Sequence, residues 1–262
     1  MDKHIFSRWQ VSLCALFVLA DGLYLPLSGT GWLALLCAAA VSAALLFLLL
    51  RLPRTLLDAA CALLALLLTL RSVHRLFFFW QYEGTGAALA VLLLLLTAWL
   101  LSRRGADCLF MWSFPVLVTA AVLLLLSAAV TVPDWEFSYL EAPTPLPFLR
   151  ETAQLLPGFL AVLLPAHLAG SAKAPAKGLL LGGALLALLS LRGLLLLGTA
   201  GYAYPMYAAA GLAAVGDLLK RCEVVFAAVL VLCDCTRVAV CFSFARSAAG
   251  KGGKVLKTTS YE

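Results

Sequence analysis

The chain has 262 residues, of which 64% are hydrophobic and 12% charged, and its mean hydropathy is +1.02. Soluble globular chains carry roughly 45–50% apolar and about 25% charged residues, so this composition excludes a cytosolic enzyme, a nucleic-acid-binding domain and a disordered linker. The formal net charge of +6 is read as Lys and Arg collecting in cytoplasmic loops, with no nucleic-acid partner. What remains is an all-α, polytopic membrane protein whose main surroundings are the lipid bilayer.

A crossing helix takes roughly 20 apolar residues. Apolar runs with polar punctuation place about eight such helices at 9–27, 31–50, 56–80, 85–101, 108–132, 151–170, 178–198 and 223–245. The first run, from Val11, continues past Asp21-Gly22 toward Pro26 without a small-residue cleavage site. It is therefore read as a mature span and not as a signal peptide.

Loop charge tests the count. One set of helix ends carries Lys3 and Arg8, Arg51 and Arg54, Arg103 and Arg104, Lys173 and Lys177, then Arg246, Lys251, Lys254 and Lys257. The other carries Glu83, the acidic stretch Asp134, Glu136 and Glu141, and the mixed group Asp217, Lys220 and Arg221. That alternation is what the positive-inside rule predicts for eight helices with both termini cytoplasmic. Residues 1–247 then form one transmembrane domain, and the Gly/Lys-rich stretch 248–262 reads as a disordered cytoplasmic tail.

Two connections are longer than a turn. Residues 133–150 hold Pro133, Pro143, Pro145 and Pro147, which predicts a non-cytoplasmic loop with a short re-entrant or interfacial piece. Residues 199–222 read as a loop followed by an amphipathic helix from Pro205, with Tyr202, Tyr204 and Tyr207 suited to the membrane interface. The eight cysteines lie mostly in apolar runs and show no metal-ligand spacing. They read as small hydrophobes, with neither a metal nor a disulfide framework implied.

Ionisable groups inside the bilayer are costly and point to function. Asp21-Gly22 interrupts the first span, which suits either an unwound ligand-binding segment or a solvated outer end with Gly22 as a joint. Arg71, His74 and Arg75 share a face of the third span; Arg71 is the deeper and the better cavity candidate, while Arg75 suits snorkelling. Pro157-Gly158 breaks the sixth span, with Pro165 and His167 following. Breaks in the first and sixth helices are the pairing expected of five-helix inverted repeats. His167 is read as interfacial, and Arg192 lies two-thirds along the seventh span. Asp234 and Arg237, three apart on the eighth, are expected to form an intramembrane ion pair. No nucleophile with a base, phosphate loop or intramembrane protease motif is present, so neither an enzyme nor a cofactor is expected.

Ile5-Phe-Ser-Arg-Trp-Gln10, running into a span broken before Leu25-Pro26, resembles the opening of the endospore germination permeases. These are the B subunits of GerA-type germinant receptors, within the amino acid–polyamine–organocation superfamily. Ser102-Arg-Arg-Gly105 is similar to that family's short basic turn, and Asp134 through Pro147 to its acidic-aromatic, Pro-rich loop. Tyr204-Pro205 followed by Gly216-Asp-Leu-Leu-Lys-Arg221-Cys-Glu223 resembles its Tyr-Pro and Gly-Asp-Phe-Leu-x-Arg motif. Arg237 falls where the family usually has Lys.

The sequence departs from the family in showing eight helices instead of ten and Gly158-Phe159 where Gly-Glu is usual. The resemblance implies a shortened five-plus-five inverted-repeat (LeuT-like) fold in the inner spore membrane. It also implies an A subunit and a C lipoprotein as partners, and a small nutrient such as an amino acid as ligand. Asp21, Gly22, Gly158 and Arg71 are the expected pocket positions. A free-standing amino acid transporter and a structural subunit without ligand are the alternatives.

Overall fold

The computed structural model describes residues 3–25, 28–81, 86–140, 145–203, 206 and 222–249. Its helices are α1 (Lys3–Gly22), α2 (Gly31–Leu49), α3 (Arg54–Gln81), α4 (Ala87–Arg103), α5 (Ala106–Thr131), α6 (Pro145–Leu160), α7 (Leu163–Ala169), α8 (Lys173–Leu197) and α9 (Cys222–Ala249). No strand occurs among the described residues. Six stretches are long and apolar enough to cross a membrane, namely Gly31–Leu49, Arg54–Phe77, Asp107–Asp134, Pro145–Ala169, Lys173–Leu197 and Ala228–Ala248. α4 is a shorter apolar helix.

The polarity pattern is that of a protein in lipid. α3 buries Leu57, Cys61, Ala65, Leu68, Ser72 and Leu76 at three- and four-residue spacing, while Leu63, Leu66, Leu67 and Leu70 are each more than half exposed. Leucines outside and a serine inside reverse the order expected in water. Lipid tails are as apolar as leucine, so association of such helices rests on close packing and interhelical polar contacts.

α1, α8 and α9 form the centre. α1 is buried from Leu13 to Ala20 and packs most extensively on α8, which also carries α2; α9 packs on α3, α4 and α5. Small residues let α1 and α8 approach. A Cβ on Gly182 would lie 2.8 Å from Val18 Cβ and 2.9 Å from the Ala15 carbonyl oxygen, and one on Gly178 would overlap the Val11 carbonyl. Gly183 does the same toward α2, where its Cβ would meet Ala39 Cβ at 2.6 Å. This is small-xxx-small packing of transmembrane helices.

Several expectations are corrected in detail. The first helix is not interrupted at Asp21-Gly22 and resumed; α1 stays helical through Gly22 and ends there. The break after Pro157-Gly158 lies one turn later, at Ala161-Val162. Pro165 explains the place. It has no N–H to give the Ala161 carbonyl, which accepts instead from Leu164 at 3.3 Å, and its ring crowds that carbonyl.

The Pro-rich loop is also shorter than expected, because Pro145 and Pro147 lie in the first turn of α6. There a missing N–H costs nothing. The remainder is two 3₁₀ turns, Val132–Asp134 and Phe137–Tyr139, tied to the end of α8 by a Glu136 N–H bond to the Leu195 carbonyl at 3.0 Å. The expected amphipathic helix from Pro205, most of the Gly216–Glu223 motif and nearly all of the 248–262 tail lie outside the described residues.

Candidate functional site

Asp21 occupies the last turn of α1, where the helix dipole disfavours a carboxylate. It is nevertheless buried, at 5% exposure, because arginines surround it. Arg75 Nη1 on α3 lies 2.7 Å from Asp21 Oδ1, Arg237 Nη1 on α9 lies 2.8 Å from the same oxygen, and Arg71 Nε lies 3.7 Å away. Arg75 also donates to the Ala20 carbonyl at 3.3 Å and stacks 4.5 Å from the centre of the Tyr24 ring, a cation–π geometry.

A second layer lies behind the first. Asp234 and Arg237 form the expected pair, with Nη2 2.6 Å from Oδ1, and both are wholly buried. Ser72 links them: its hydroxyl accepts from Arg237 Nη2 at 2.7 Å and Nε at 3.0 Å and donates to Asp234 Oδ1 at 3.0 Å. Tyr24 donates its hydroxyl to Asp234 Oδ2 at 3.1 Å. Buried charges persist only when paired and hydrogen-bonded, and this network meets that condition with helices from both ends of the chain.

Asp21 Oδ2 is buried without a hydrogen-bond partner. It faces Gly158, whose Cβ, if present, would sit 3.5 Å from it. Both border a cavity of about 50 Å³ that is also lined by Gly22, Arg71, Gln154 and Pro157 among others. All four expected pocket positions thus border one space. Its size suits a water or two, since a water takes about 30 Å³ of liquid.

A larger cavity of about 190 Å³ adjoins it, sharing Leu25, Gln154 and Leu155 and adding Ser28, Glu151 and Met206. Glu151 Oε2 there accepts the hydroxyls of Thr30 at 2.9 Å and Ser28 at 3.1 Å.

The roles of the two arginines on α3 are exchanged relative to expectation. Arg75, expected to snorkel, is the buried partner of Asp21, with 13% of its side chain exposed against 47% for Arg71. Arg71 borders the cavity and holds Asp21 loosely. Gly22 serves by its lack of a side chain and not as a joint, since a Cβ there would overlap Leu186. His74 is exposed. His167, expected at the interface, pairs with Asp58 of α3 at 2.9 Å between the ring Nε2 and Oδ1. Arg192 is fully buried and donates through Nε to Thr131 Oγ1 at 3.1 Å.

Sequence reading missed Ser72, Tyr24, Asp58 and Glu151. Ser72 carried a signal, because it lies on the buried i, i+3, i+4 stripe of α3. Glu151 carried one as well, seven residues and hence two turns before Gly158 on the same face of α6. Comparison of the chain with family models, with curated proteins and with solved structures finds no match.

Proposed function

We propose that the chain is a small-solute sensing subunit of the germinant-receptor permease type, and not an enzyme. The observation that carries this reading is the convergence of Asp21, Gly22, Arg71 and Gly158 on one cavity between the end of α1 and the interrupted α6–α7 segment. In this reading eight helices cross the bilayer with both termini cytoplasmic, as a LeuT-like bundle in the inner spore membrane, joined by an A subunit and a C lipoprotein.

The charge balance supports an organic ligand with a carboxylate, such as an amino acid. Three guanidinium groups, of Arg71, Arg75 and Arg237, face two carboxylates, of Asp21 and Asp234. Arg71 is the least engaged of the three. The cavity is too small for an amino acid as it stands, so binding requires α6 to move outward about the Ala161-Val162 break. A ligand that favours the opened arrangement shifts the population toward it by its differential affinity alone. That shift is what a partner subunit would read.

The test is germination of spores from the chain's own host. Spores carrying Arg71→Gln are expected to lose the response to one class of nutrient while retaining wild-type amounts of the protein. Normal germination with every nutrient by spores lacking the gene would refute the reading. Uptake of an amino acid by the isolated chain in vesicles would replace it with a transporter.

A further inference from the structure

We propose that Glu151 forms an outer subsite that binds a primary ammonium group, the end of the ligand opposite the one facing Arg71. The inference rests on the small-solute reading and deepens it. Glu151 is half-buried on the wall of the 190 Å³ cavity. Among the described residues its hydrogen bonds come from two neutral hydroxyls, those of Ser28 and Thr30, and no basic side chain pairs with it. Both hydroxyls bond one oxygen, Oε2, which fixes the carboxylate in place without a basic partner among the described residues.

That is unusual for a carboxylate drawn into an apolar wall, here Leu25, Leu35, Leu155 and Met206; such groups are ordinarily paired. The adjoining space presents a second acceptor, the buried and unpartnered Asp21 Oδ2. Glu151 in one cavity and Asp21 Oδ2 in the next, with the Gln154 amide shared by both and leucines around, describe a site where an N–H donor on a short aliphatic body finds acceptors. An ammonium offers three N–H donors and the charge Glu151 lacks. A carboxylate alone would be repelled.

The preorganised hydroxyl pair also distinguishes Glu151 from a solvated surface acid. Ser28 and Thr30 come from the segment between α1 and α2, so the subsite joins that segment to α6. An ammonium bound there would sit two turns along α6 from Gly158, across from the Arg71 cavity.

A charge-selective labelling experiment tests this on the full chain in phosphatidylcholine nanodiscs. Gln154 is exposed and borders both cavities. A thiol introduced by Gln154→Cys is modified with a cationic trimethylammonium methanethiosulfonate and with its anionic sulfonate analogue, and the parent chain supplies the background of native cysteines. The ratio of cationic to anionic rates is expected to fall about ten-fold on Glu151→Gln, the effect of one unit charge a few ångströms away, and to be retained in Glu151→Asp. n-Butylammonium is expected to slow labelling, and butyrate is not.

Protection in phosphatidylcholine assigns the site to a free amine. Slowed labelling only when phosphatidylethanolamine is added assigns the same ammonium chemistry to a lipid headgroup. An unchanged ratio in Glu151→Gln, or equal slowing by butyrate, overturns the subsite. Butylammonium protection in the Gln154→Cys chain needs no Glu151 variant, so a poorly folding Glu151 variant does not rescue the idea. Spores indifferent to every amino acid would sink the nutrient reading and leave these labelling ratios untouched.

Discussion

Arg237 reaches Asp21 across the whole length of the sequence, its Nη1 2.8 Å from Asp21 Oδ1, while its Nη2 holds Asp234 at 2.6 Å. One guanidinium thereby serves two carboxylates, and the two acids are not equivalent. Asp21 keeps Arg75 and Arg71 if Arg237 is lost; Asp234 keeps the neutral donors Ser72 and Tyr24.

An ordering of stability follows from that asymmetry. Removing one partner of a buried ion pair costs about 3–5 kcal/mol, so Arg237→Gln is expected to lower the detergent melting temperature and cellular abundance sharply. Asp234→Asn costs less, because Arg237 still has Asp21. Adding Asp234→Asn to Arg237→Gln is expected to recover part of the loss. Melting curves of the three variants check this, and a double variant worse than either single would contradict the network.

On the proposed sensing function, Arg71 is expected to separate stability from response. Its contact with Asp21 is 3.7 Å long and the side chain is half exposed, so Arg71→Gln is expected to cost less than about 1 kcal/mol. Asp21→Ala removes the anion that Arg75 and Arg237 share and is expected to lower abundance as well. Paired measurements of thermal stability and nutrient response therefore place the two variants in different quadrants, and equal stability loss in both would show Arg71 to be structural.

Close packing of α1 on α8 predicts a steric penalty. Gly182→Val places carbons against Val18 and the Ala15 carbonyl, at 2.8 and 2.9 Å for the first of them alone, and is expected to cost about 1–3 kcal/mol. Leu180→Val, on the exposed side of the same helix, is expected to be close to neutral. Melting temperatures of the two compared with wild type decide it.

The all-helical, membrane-compatible character was legible because the membrane imposes a simple rule: apolar runs of sufficient length had to be helices, and six of them are long and apolar enough to cross. The helix breaks were less legible. Pro157 catches the eye, yet a proline inside α6 is tolerated where neighbours fill in, and the actual interruption is set by Pro165 acting four residues upstream.

The four cavity positions were named from helix-breaking residues and stray charges, and they meet. The depth of Arg71 against Arg75 was misjudged because a linear count toward the interface says nothing of which way a helix face turns. Tyr24 and Glu151 escaped notice for a related reason: one follows a helix end and the other stood at the start of the expected span 151–170, places where polar residues are ordinary.

Pro165→Ala tests whether the break is built for motion. Restoring an N–H opposite the Ala161 carbonyl is expected to join α6 and α7 into one helix and to raise stability by about 1 kcal/mol, while nutrient response falls. Hydrogen exchange at residues 161–165 reports the joined helix directly; unchanged exchange with an unchanged response would mean the interruption has another cause.

The pairing of His167 with Asp58 has a mechanical consequence. Asp58 and Arg75 stand 17 residues apart on α3, about 25 Å along the axis. α3 is thus a post bolted at one end to α7 and at the other to α1. α6 runs between those bolts, ends at the Ala161-Val162 turn, packs along α2, and is latched to the α1–α2 segment by two hydroxyl bonds to Glu151. In the mechanism proposed above, swinging it outward would uncover Asp21 while both bolts stay fastened. On the proposed sensing function, such a movement would break that latch, at about 1.5–3 kcal/mol for each hydrogen bond to a charged group, and would also give up the packing of α6 on α2.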